Sequence, residues 1–65
     1  MKYSELFRIV KQHGWYELRQ SGSHVIMAHP EKDFTITIPN HGRNEVKKGL
    51  LQALKKQTGI KLDKR

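Results

Sequence analysis

The sequence predicts a small α+β domain in which two helices flank a three-stranded antiparallel sheet, in the order α-β-β-β-α. Tyr3, Leu6, Val10 and His13 recur at helical spacing near the start. Phe34-Thr35-Ile36-Thr37-Ile38 alternates strictly between apolar and polar residues, as a strand does. Further on, Val46, Leu50, Ala53 and Leu54 form a second helical stripe that gives way at Gly59. With 65 residues the chain makes one domain, and a chain this short buries only about 60% of the surface it exposes when unfolded.

Taken in order, the first helix is expected over residues 4–13. Ser4 stands as its N-cap, Glu5 favours its positive end, and Gly14 is its stop. Trp15-Tyr16-Glu17-Leu18-Arg19 is aromatic and alternating, which suits a first strand, and Gln20-Ser21-Gly22 reads as a turn. Residues 23–29, around Val25-Ile26-Met27, read as the second strand, and Pro30 to Asp33 as the next turn. Residues 34–38 are the third strand, with Phe34, Ile36 and Ile38 on one side and the two threonines on the other.

A loop from Pro39 to Asn44 follows, and Asn44 is placed to cap the second helix. In that helix Lys48, Gln52 and Lys55 lie opposite the apolar stripe. Gly59 followed by Ile60 suggests a left-handed cap with its hydrophobic contact. Residues 1–60 therefore form the domain, and 61–65 a basic tail with no evident reason for order. Short turns make the strands a meander, with both helices on one face. This is the architecture of a double-stranded-RNA-binding domain in miniature.

Composition narrows the function. The net charge is +7, and its placement is uneven. Residues 1–40 hold five basic against four acidic side chains, whereas residues 41–65 hold eight against two. A concentrated positive field attracts polyanions, nucleic acid foremost, although an acidic protein would exploit it too. The absence of cysteine removes disulfides and thiolate metal sites. No stretch approaches a membrane span and no secretory apolar core opens the chain, so a cytoplasmic protein is the expectation.

Chemistry, if present, falls to a histidine. His24 follows a glycine turn at the start of a strand, and an imidazole exchanges protons near neutral pH. Such a group can draw the proton from a ribose 2′-hydroxyl while lysine or arginine steadies the charge on phosphate. A surface histidine without a role is the alternative, and Val25-Ile26-Met27-Ala28 puts apolar residues on both faces, so alternation does not orient His24. His29, before proline, suits packing or turn stabilisation; His13 suits the negative end of the first helix. His41 sits in the loop ahead of the basic helix, where it is a candidate phosphate contact, with a merely exposed loop histidine as the alternative. No HxxxH or HxH spacing and no carboxylate pair suggests a metal site.

Several pieces together resemble the HicA-like, or YcfA-like, family of small mRNA-cleaving toxins. They are Gly14-Trp15, Gly22-Ser23-His24, His29-Pro30, Ile38-Pro39-Asn40-His41, and the run from Lys48 to Ile60. They occur in the family's order and at its spacing, over nearly the whole chain. The resemblance implies an endoribonuclease that cleaves mRNA without the ribosome and arrests translation, in a type II toxin–antitoxin pair. It maps the family's catalytic histidine onto His24 and implies a HicB-like antitoxin that binds the toxin and hides that histidine. It implies no metal and no small-molecule cofactor. A non-catalytic RNA-binding module of the same fold is the alternative.

Two departures from the family's pattern stand out. Many relatives have threonine where this chain has Leu50, and many carry more basic residues where this one has Val25 to Ala28. The second departure moves the expected RNA surface toward Arg43, Lys47, Lys48 and Lys55, and Ser23 and His41 are expected RNA contacts beside it.

Overall fold

The computed structural model describes residues 1–62, with α1 (Tyr3–Gln12), β1 (Tyr16–Ser21), β2 (His24–Ala28), β3 (Ile36–Pro39) and α2 (Lys48–Thr58). The strands form one antiparallel sheet in the order β1-β2-β3. The α+β class and the α-β-β-β-α order are as the sequence predicts.

One face of the sheet is apolar because β2 and β3 alternate. Val25 and Met27 point to the same side as Ile36 and Ile38, and all four are buried. Tyr3, Leu6 and Val10 from α1 and Leu54 from α2 close over them, with Trp15, Val46, Ile60 and Leu62 filling the margins. Phe34 lies ahead of β3 and remains exposed, leaning on Trp15 at 5.8 Å between ring centroids.

The two helices start at the same end of the sheet. The Tyr3 and Ser4 N–H groups donate to the carbonyls of Asn44 and Gly42, at 3.1 and 3.0 Å. Nearby, the Val46 N–H donates to the Met1 carbonyl at 2.8 Å, two residues before α2 begins. At the other end, His13, Trp15, Thr58 and Ile60 line one cleft. The positive ends of both helix dipoles therefore lie where β3 finishes and β2 starts.

This arrangement corrects several local expectations. Lys2, not Ser4, occupies the N-cap position of α1 and gives no side-chain cap, because the loop carbonyls of Asn44 and Gly42, remote in sequence, satisfy the Tyr3 and Ser4 N–H groups. Asn44 does not cap α2, whose cap position is Lys47; its carbonyl serves α1 instead. β1 runs on to Ser21, so the turn is Gly22-Ser23, and β3 starts at Ile36, two residues later than expected. Ala53 is exposed, and Leu51 rather than Ala53 joins Leu50 and Leu54 against the core.

The stop at Gly59 is as expected. Its φ of +74° is left-handed, its N–H donates to the Lys55 carbonyl at 2.9 Å, and Ile60 is buried beyond it. Thr58 completes this cap from its side chain: Oγ1 donates to the Leu54 carbonyl at 2.7 Å and accepts the Ile60 N–H at 3.2 Å. Leu62 is only 1% exposed and belongs to the core, while 63–65 lie outside the described residues.

Candidate functional site

His24 leaves the two-residue turn Gly22-Ser23, where Gly22 supplies a φ of +60° that other residues rarely adopt. Ser21 pairs with His24 across that turn, and His24 pairs with Pro39 on its other side. Because Val25 and Met27 are buried, His24, Ile26 and Ala28 take the opposite face of the sheet, the one no helix covers. The burial pattern thus resolves what alternation leaves open. Among the described residues the His24 imidazole makes no hydrogen bond, ion pair or ring contact, and it is exposed. Such a group is free to meet an incoming hydroxyl.

The loop after β3 is tied to the same turn. The Asn40 N–H donates to the Ser23 carbonyl at 2.6 Å, and Asn40 Oδ1 accepts the Gly42 N–H at 3.4 Å. His41 packs edge-on against Tyr3, with ring centroids 5.2 Å apart, while the exposed Arg43 and Lys47 lead into α2 at Lys48. Ser23, His24, His41, Arg43, Lys47 and Lys48 therefore share the end of the molecule where the two helices begin. Lys55 does not join them. It lies about 10 Å further along α2, in its last turn.

The remaining histidines are occupied. His29 Nδ1 accepts the Glu31 N–H at 3.0 Å, which leaves the proton on Nε2, and Nε2–H donates to the His13 carbonyl at 2.8 Å. The same ring meets Trp15 edge-on at 5.2 Å. His29 thereby clamps the end of β2 to the end of α1, a packing and turn-stabilising part. His13 Nδ1–H donates to the Ile9 carbonyl at 3.0 Å, within its own helix. Among the described residues no three His, Asp or Glu side chains converge as a metal site would require.

A β-bulge adds two residues to the open face that alternation along the strand does not reveal. Tyr16 pairs with Ala28 and Glu17 with Met27, but Arg19 rather than Leu18 pairs with Ile26. The register shift moves Arg19 and Ser21 to the side of His24 and leaves Gln20 opposite Val25. Glu17 lies on the helix side, where its carboxylate meets Lys11 Nζ at 3.1 Å. Strict alternation from Tyr16 would have placed Leu18 and Gln20 on the open face instead.

Comparison with known protein families gives a match. A profile of the family described as "HicA toxin of bacterial toxin-antitoxin" matches residues 3–60 of the 65. The matched span runs from the first residue of α1 to the residue that follows the Gly59 cap. No curated protein matches the chain.

Proposed function

Because the chain belongs to the HicA toxin family of bacterial toxin–antitoxin systems, we propose that it acts as an endoribonuclease on mRNA, with His24 as general base and acid. The observation that carries this reading is the unpartnered, exposed His24 imidazole at the end of the molecule that also bears Arg43, Lys47 and Lys48.

The chemistry is that of an internal transesterification. Neutral His24 takes the proton from a ribose 2′-hydroxyl, and the oxygen attacks the adjacent phosphorus. The bond to the 5′-oxygen of the next nucleotide breaks, leaving a 2′,3′-cyclic phosphate and a 5′-hydroxyl. The departing oxygen receives a proton from imidazolium or from water. Arg43, Lys47 and Lys48, together with the positive ends of the two helices, stabilise the extra charge on the phosphorane. Ser23 and Gly22 shape the turn from which His24 projects.

The partner in this reading is a HicB-like antitoxin that covers His24, and the setting is the cytoplasm. The test is incubation of purified protein with end-labelled mRNA in the presence of a chelator, comparing wild type with His24→Ala. Cleavage by wild type alone, with cyclic phosphate ends, is the expected result. If both proteins retard the RNA in a gel and neither cuts it, the chain is a binding module and His24 has no catalytic part.

A further inference from the structure

We propose that the open face of the sheet is a track for single-stranded RNA, with Tyr16 as a base-stacking platform and Arg19 as a phosphate contact leading to His24. The inference rests on the ribonuclease reading and assigns its substrate a path. Three observations support it.

Tyr16 is 48% exposed although it is a large aromatic, and among the described residues no ring packs on it. Its pairing with Ala28 places beside it, on the same face, a side chain too small to cover the ring. An exposed ring on a sheet face offers the π-surface on which an unpaired base stacks.

The bulge in β1 brings Arg19 onto this face between Tyr16 and His24. The pairs Tyr16–Ala28, Arg19–Ile26 and Ser21–His24 form successive rows. The four-residue separation of Ala28 and His24 along β2 corresponds to about 13 Å. A short run of extended RNA spans that distance, stacked at one end and presented to imidazole at the other.

Among the described residues, the paired positions of this face carry no negative charge. They are Tyr16, Arg19, Ser21, His24, Ile26, Ala28, Thr37 and Pro39, with no carboxylate among them. Glu17 is turned to the helix side and held by Lys11. The lysines in the last turn of α2 sit in the layer of helices, behind the sheet as seen from His24. They therefore cannot guide a strand across the face that bears it.

Duplex RNA does not fit this surface, because stacking on Tyr16 requires an unpaired base. The test measures direct binding in a His24→Ala background, so that cleavage does not intervene. Fluorescence anisotropy is read with a labelled single-stranded oligoribonucleotide and with the same strand in a duplex. Tyr16→Ala is expected to weaken single-strand binding about tenfold, and Tyr16→Phe to leave it unchanged. Arg19→Ala is expected to weaken it more than Lys56→Ala, which removes the same charge from α2. Circular dichroism checks that each variant is folded.

Equal binding by Tyr16→Ala and its parent overturns the track, and cleavage by the otherwise wild-type protein would then leave the ribonuclease reading intact. Absence of any binding or cleavage by wild type removes both. If the variants lose a co-expressed antitoxin while binding RNA normally, the face docks protein and the track is again overturned.

Discussion

Gly14 and His29 compete for the same space. A Cβ on Gly14 would lie 2.7 Å from His29 Nε2, the atom that donates to the His13 carbonyl, and Gly14 itself has a φ of +100°. The Gly14-Trp15 and His29-Pro30 pairs, 15 residues apart in sequence, are thus two halves of one joint between α1 and β2. Trp15, 3% exposed, belongs to the first half and meets the His29 ring of the second edge-on.

Gly14→Ala should therefore destabilise the fold twice over. The backbone strain costs about 1–3 kcal/mol, and displacement of the imidazole weakens two hydrogen bonds. A fall in Tm of about 10 °C is expected for a domain of this size. In the double variant with His29→Ala the contact is gone while the strain stays, so the two losses should not add. Strict additivity in thermal melts would show that the ring and the Cβ do not compete.

Leu62 is expected to be as important as residues within the named elements. It is almost fully buried although it lies beyond the last helix, and Leu62→Ala should cost about 3 kcal/mol. Lys61→Ala, at an exposed neighbour, should stay within about 0.5 kcal/mol. Urea unfolding of the two variants measures both, and similar midpoints would remove Leu62 from the core.

Thr58 offers a smaller test at the same corner. Its hydroxyl bridges the Leu54 carbonyl and the Ile60 N–H, so Thr58→Val leaves two backbone groups without that partner. A loss of roughly 1–2 kcal/mol is expected, read as an earlier urea midpoint with an unchanged slope. A midpoint equal to wild type would mean that water replaces the hydroxyl at no cost.

What could be read from sequence follows the range of the interaction involved. Tyr3, Leu6 and Val10, and likewise Ile36 and Ile38, announce their elements because helix and strand periods are local properties. The caps at Ser4 and Asn44 misled because the start of α1 is satisfied by carbonyls from the far loop, a contact that local motifs do not encode. The candidate site divides in the same way. His24 is legible from its motif, but its place on the uncovered face depends on which side the helices pack. Arg19 was hidden by the bulge, since one extra residue reverses every later side chain in β1. Leu62 was hidden because it has no partner of its own period; only the tertiary contact buries it.

The ribonuclease reading separates chemistry from attraction, and two surface substitutions should do the same. His24→Ala removes an exposed side chain without partners, so stability should change by less than about 0.5 kcal/mol. RNA binding should persist, while cleavage and growth arrest on expression should be lost. Arg43→Ala, from the exposed loop between β3 and α2, should instead weaken binding to all RNA sequences alike. It should lower the slope of log affinity against log salt by about 1, as loss of one phosphate contact does. Its cleavage rate at saturating RNA then reports whether the guanidinium also reaches the reacting phosphate. A rate equal to wild type makes Arg43 a steering charge, whereas a reduced rate at full binding gives it a share in stabilising the phosphorane. The salt slope and the saturated rate are independent readouts, so a fold defect cannot imitate either pattern once the melting curve is unchanged.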